Sequence, residues 1–123
     1  PMFELEERVE LARSALAGID GVEVASYKGL TVDFARDNGL SVIIRGLRAV
    51  SDFEYEFQIA QMNHNLKQEV ETLFMMTSVP FGYLSSSIVK EVACLNGDVE
   101  GLVPPVVREA LAKKCAEIKP QES

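Results

Sequence analysis

The run Leu40-Ser41-Val42-Ile43-Ile44, followed by a stretch at helical spacing and then by Glu71-Thr72-Leu73-Phe74-Met75-Met76, constrains the fold more than any other feature of this 123-residue chain. Successive β-branched residues suit a strand, and apolar positions three and four apart over 51–66 suit a helix. Strand, helix and strand in that order make a crossover unit whose strands lie parallel in one sheet. The β-branched run Val42, Ile43 and Ile44 predicts a sheet covered on both faces.

The remaining periodicity extends this α/β reading. Leu5, Val9, Leu11, Ala12, Ala15 and Leu16 mark one face of a helix over about 4–17, ended by Gly18. Val22-Glu23-Val24-Ala25 reads as a short strand after Gly21, and Leu30 to Asp37 as a short helix closed by Asn38-Gly39. The second strand is placed at 40–44. The helix over 51–66 takes Ser51 or Asp52 as its cap, and Glu71 to Met76 is the third strand. A loop with Pro80 and Gly82 leads to Ser85-Ser86-Ser87, which opens a helix over about 86–95. Gly97, Gly101, Pro104 and Pro105 form a connector to a last helix over about 105–116, and the polar tail Lys119 to Ser123 is expected to fray. The expected architecture is a Rossmann-like, doubly wound parallel sheet in one domain spanning residues 1–123, without internal repeats. Three strands make a thin core and Pro1 is not an initiator residue, so a preceding strand and helix are expected upstream.

Composition narrows the function classes. No apolar run approaches the ~20 residues of a membrane span. The amino terminus lacks the basic region and apolar stretch of a signal peptide, so a cytoplasmic protein is expected, with no membrane partner. Cys94 and Cys115 match no metal-ligand spacing and are expected as free thiols. The formal charge of −7 argues against nucleic acid as a partner.

Arg45-Gly46-Leu47-Arg48 follows the second strand, at the carboxyl edge where open α/β sheets bind ligands. Two guanidinium groups there suit phosphate, and glycine lets the backbone approach it. The alternative is a pair of surface arginines bridged to Asp52, Glu54 or Glu56. Ser85, Ser86 and Ser87 at a helix start offer hydroxyls, free N–H groups and a positive dipole end to an anion; ordinary capping is the alternative. Taken together, the arginines and serines favour a polyphosphate held at one sheet edge. Tyr55, Glu56, Ile59, Met62 and Asn63 share roughly one helix face, as pocket lining or as core with a solvated Glu56. His64, the only histidine, reads as a surface residue, and no phosphate-loop or GxGxxG fingerprint occurs.

These segments resemble the bacterial phosphopantetheine adenylyltransferases, in the nucleotidyltransferase superfamily with an HxGH-type signature. The resemblance runs through Pro1-Met2-Phe3, Leu5 to Arg8, Val42 to Glu56, Gln61-Met62-Asn63, Ser85-Ser86-Ser87, Val89 to Ala93 and Gly97-Asp98-Val99. It implies transfer of the adenylyl group of ATP to 4'-phosphopantetheine, giving dephospho-coenzyme A and pyrophosphate, with magnesium (Mg2+). It further implies a homohexamer and coenzyme A as a feedback ligand. By position, Arg45 would contact phosphopantetheine, with Thr31, Leu30, Met62, Asn63 and Glu91 around the acceptor. Gly46, Leu47, Arg48, Glu56 and the segment Phe81, Gly82, Tyr83, Leu84, Ser85, Ser86 and Ser87 would contact ATP. The family's catalytic histidine and lysine lie upstream of the position matched by Pro1, so no catalytic residue is assigned here and the chain alone is expected to catalyse poorly. The alternative from another class is an inactive nucleotide-binding or assembly module.

Overall fold

The computed structural model describes residues 1–78 and 81–118, the side chains of Val50 and Ser51 excepted. Pro80 and the tail Lys119 to Ser123 lie outside the described residues. The chain forms two compact units: one from Pro1–Ser26 together with the chain from Leu84 onward, the other from Tyr27–Tyr83.

The Tyr27–Tyr83 unit holds the sheet. Helix α2 (Thr31–Asp37) leads to strand β1 (Val42–Leu47), helix α3 (Val50–Leu66) and strand β2 (Glu71–Met76). β1 and β2 pair in parallel with Val42 opposite Glu71 and Leu47 opposite Met76, the crossover expected of a strand–helix–strand unit. Side chains alternate across a strand, so Ile43, Arg45 and Leu47 share one face. Helices α2 and α3 cover that face, and Ile43 packs against the buried Val32, Ala35 and Val70. The parallel sheet flanked by helices is the Rossmann-like α/β arrangement expected, and within this unit Val42, Ile44, Leu73 and Met75 remain exposed, Ile44 by 63%. Both flanking helices of this unit lie against the other face.

β1 runs three residues further than the predicted 40–44, so Arg45 lies within the strand rather than beyond it. The short α2 is stopped by a left-handed Gly39 (φ 70°), whose N–H reaches Arg36 O at 3.0 Å while Leu40 N–H reaches Ala35 O at 2.8 Å. That pair of bonds is the Schellman closure, and glycine is the residue that takes its positive φ without strain. The predicted Ser51 or Asp52 cap is also corrected. Ala49 is the N-cap of α3 and supplies no side-chain bond.

The other unit is helical. α1 (Leu5–Leu16), α4 (Ser86–Cys94) and α5 (Pro105–Ile118) pack with α5 against both partners. Val9, Leu11, Ala12, Ala15 and Leu16 are half-buried as their periodicity predicts. Val99, Leu111 and Cys115 are buried. The Glu7 carboxylate accepts the Glu4 N–H at 2.7 Å and pairs with Lys114 of α5 at 2.9 Å.

Two expectations fail in this unit. Residues 22–25 form no strand; a strand exists only through a ladder partner, and this run instead lines a groove with Arg13, Leu16 and Ala17 of the α1 end. Cys94 and Cys115 are not free thiols but a disulfide with Cα atoms 5.1 Å apart, joining the end of α4 to α5. Spacing of 21 residues carries no signal for this pairing. Packing of α4 on α5 creates it.

Candidate functional site

Arg45 and Glu56 form the centre of the best-defined site. On β1 the guanidinium stands on the helix-covered face, and on α3 Glu56 precedes Ile59 and Asn63 by three and seven residues, placing all three along one side. Arg45 donates from Nε to Glu56 Oε2 at 2.8 Å and from Nη2 to Oε1 at 2.7 Å. The two-point fit fixes both orientation and charge. These two residues line a cavity of about 230 Å³ with Thr31, Ile43, Asn63 and Thr72 among its walls.

Burial is unequal across the pair. The Glu56 side chain is 13% exposed and that of Arg45 is 47% exposed, so the carboxylate is the more enclosed partner. Hydrogen bonds from Arg45 hold the Glu56 carboxyl below the usual carboxylate range, against desolvation and the Asp52 charge, which push it up. The same bonds push the Arg45 pKa further up. Thr31 is positioned by Tyr27, whose hydroxyl lies 2.6 Å from Thr31 Oγ1 and whose ring stacks on Phe34 at 4.5 Å.

Arg48 follows β1 immediately. Its backbone N–H and Nε both lie 3.2 Å from Asp52 Oδ2, in the first turn of α3. A carboxylate there also meets the positive end of the helix dipole. Both arginines thus have the carboxylate partners that the ion-pair reading named, Glu56 and Asp52. Gly46 lies between them, and beyond its chain neighbours no atom of the described residues comes within 4 Å of where a Cβ would stand. Packing among the described residues does not demand a glycine at that point.

The sequence-derived site divides between the two units. Leu30, Thr31, Arg45, Gly46, Leu47, Arg48, Glu56, Met62, Asn63, Phe81, Gly82 and Tyr83 belong to the sheet-bearing unit; Leu84, Ser85, Ser86, Ser87 and Glu91 belong to the helical one. Within the first group the cavity brings together Thr31, Arg45, Glu56 and Asn63. Met62, Tyr55 and Leu30 are exposed and are not part of its lining. Ile43 and Thr72 are cavity residues that the sequence reading did not single out; the inward parity of β1 and its register with β2 are the signals that identify them. His64 is exposed, on an adjoining groove with Phe57, Gln61 and Phe74.

At the head of α4 the capping reading holds for Ser85, whose Oγ accepts the Ile88 N–H at 3.2 Å. Ser86 and Ser87 occupy the first turn and are exposed. No group of three or more His, Cys, Asp or Glu side chains suited to a metal occurs among the described residues. No helix among them is long and apolar enough to cross a membrane.

Comparison with known proteins gives these features a context. The Cytidylyltransferase-like family profile matches residues 1–92. The phosphopantetheine adenylyltransferase of Geotalea daltonii is 61% identical over 113 residues, covering 92% of this chain and 70% of that protein. That of Geobacter metallireducens is 62% identical over 113 residues, covering 92% and 69%. That of Geobacter sulfurreducens is 59% identical over 115 residues, covering 94% and 70%. With identity and coverage of this extent, the chain belongs to the phosphopantetheine adenylyltransferase family of Cytidylyltransferase-like proteins.

Proposed function

We propose that the protein transfers the adenylyl group of ATP to 4'-phosphopantetheine, forming dephospho-coenzyme A and pyrophosphate. The observation that carries this reading is the Arg45 guanidinium, held by Glu56 at the wall of a cavity shared with Thr31 and Asn63. Arg45 binds the acceptor's phosphate, and Thr31 and Asn63 supply neutral hydrogen-bonding groups beside it. Leu30, Met62 and Glu91 are assigned to the more distant parts of the acceptor.

Gly46, Leu47 and Arg48, together with Phe81, Gly82, Tyr83, Leu84, Ser85, Ser86 and Ser87, are assigned to ATP. Gly46 offers an open approach to the backbone, and Ser86 and Ser87 stand in the first turn of α4, where N–H groups favour anions. In the transfer, an acceptor phosphate oxygen bonds to the α-phosphorus, and the bond from that phosphorus to the bridging oxygen breaks as pyrophosphate leaves. Such a step needs positioning and charge stabilisation more than covalent participation, and guanidinium and helix-end groups supply both. Mg2+ enters as the counter-ion of the ATP phosphates, since magnesium is commonly held by substrate phosphates with one or two carboxylates.

The same reading places the protein in the cytoplasm as a homohexamer, with coenzyme A as feedback ligand. Sedimentation with and without coenzyme A checks the assembly. The function is tested by supplying the purified full-length gene product with ATP, Mg2+ and 4'-phosphopantetheine. Pyrophosphate release that requires both substrates, with dephospho-coenzyme A identified by mass, is the expected result; ATP turnover without the acceptor, or no product, overturns it.

A further inference from the structure

We propose that Glu56 acts on the acceptor side of the site as a positioning residue for Arg45, setting the guanidinium so that its second edge selects a phosphate monoester; this rests on the adenylyl-transfer reading above. Resemblance gives Glu56 to the nucleotide, and its bonds to Arg45 add a role on the acceptor side.

Three observations converge. Both carboxylate oxygens of Glu56 are engaged by one guanidinium, at 2.8 and 2.7 Å. Glu56 is the more enclosed member of the pair, its side chain 13% exposed against 47% for Arg45. Its neighbours along α3, Ile59 and Asn63, line the same cavity as Thr31, which is the acceptor group of residues.

Arginine carries five N–H donors in a planar fork. Glu56 takes the Nε and one Nη2 hydrogen, and of the three that remain, one on Nη1 and one on Nη2 lie parallel as a second two-point edge. A phosphate fits that edge, whereas a hydroxyl engages one donor at a time. A half-exposed arginine without a fixed partner would sample many rotamers, and ordering it on binding costs side-chain entropy. Glu56 removes that cost before the ligand arrives, which is the general advantage of preorganisation. The benefit falls on ligands that use the fork, and so appears as discrimination between phosphorylated and unphosphorylated acceptors.

The experiment is calorimetric titration of the purified wild-type protein, Glu56→Gln and Glu56→Asp with 4'-phosphopantetheine, pantetheine and ATP. Gln removes the charge and one acceptor; Asp keeps the charge but is one methylene short. Expected is a roughly tenfold fall in the ratio of phosphopantetheine to pantetheine affinity in both variants. A loss confined to ATP returns Glu56 to the nucleotide and overturns the proposal. An unchanged or increased ratio in Gln shows that Glu56 only competes for the guanidinium, and a wild-type ratio in Asp shows that charge acts without fixed geometry; either also overturns it. Circular dichroism of each variant establishes that the fold is retained. These titrations need no turnover, so a protein that forms no dephospho-coenzyme A removes the function reading while the discrimination ratio still decides the role of Glu56.

Discussion

At the scale of single residues, Arg45 shows how an ion pair and a binding site share the same atoms. The sequence posed phosphate binding and surface pairing as alternatives, yet the bond to Glu56 uses one edge of the guanidinium and leaves another. Lysine in its place keeps the charge but has no fork. Arg45→Lys should therefore weaken phosphopantetheine binding roughly ten- to hundredfold, from the about 1.5–3 kcal/mol of a charge-assisted hydrogen bond. Titration of both proteins checks this, with thermal unfolding expected to be little changed because Arg45 is half-exposed. The pair also predicts a pH dependence. Glu56 has a lowered carboxyl pKa in the folded protein, so its contribution to stability is complete above the unfolded value of about 4.3 and is lost as pH falls through the folded value. Solvent screening of the exposed Arg45 keeps that contribution under about 1 kcal/mol. Urea midpoints of wild type and Glu56→Gln should differ at neutral pH and converge on acidification; a gap that widens in acid would reverse the sign argument.

At the scale of elements, the helices and the two central strands were legible because periodicity and local chemistry agree there. Helices over 51–66 and 105–116 were placed within a residue or two at each end, and β2 coincides with its predicted bounds. Sequence periodicity missed features that depend on partners distant along the chain. Val22-Glu23-Val24-Ala25 has a strand's composition but lies beside the α1 end instead of in a ladder. Arg45 extends β1 because β2 supplies Phe74 opposite it, which a count of β-branched residues does not reveal. Of the candidate site, Arg45, Glu56, Thr31 and Asn63 were legible through residue type and helical spacing, whereas Thr72 required the strand register. The closure of α4 supplies a test at this scale. Asn96 takes φ 65° and the Gly97 N–H reaches Val92 O at 2.8 Å, the same Schellman geometry as α2 with asparagine in the left-handed position. A Cβ on Gly97 would lie 2.5 Å from Val92 Cγ1 and 2.9 Å from Val92 O. The backbone oxygen has little room to yield. Gly97→Ala should cost about 1–3 kcal/mol, read as a melting point several degrees lower. Loss of the Ser85 cap in Ser85→Ala should cost about 1 kcal/mol by the same measurement.

At the scale of the whole molecule, the chain enters the helical unit, passes through the sheet-bearing unit and returns, so the helical unit is assembled from segments far apart in sequence. Its contacts include the Glu7–Lys114 pair between α1 and α5, and the Cys94–Cys115 disulfide between α4 and α5. The disulfide spans 21 residues, and closing a loop of that size restricts the unfolded chain by about 3 kcal/mol in the chain-entropy account. Cytoplasmic thiol pools reduce most accessible disulfides, so the dithiol form bears directly on the proposed function. Reduction should lower the melting temperature, and Cys115→Ser should reproduce that loss and make the protein indifferent to reductant. The loss also has a location: amide exchange should accelerate in α4 and α5, and less in α1, while Val32, Ala35, Ile43 and Val70 of the other core keep their protection. That pattern follows if the two units open separately, because the link constrains only one of them. Equal acceleration across Tyr27–Tyr83 would overturn that separation.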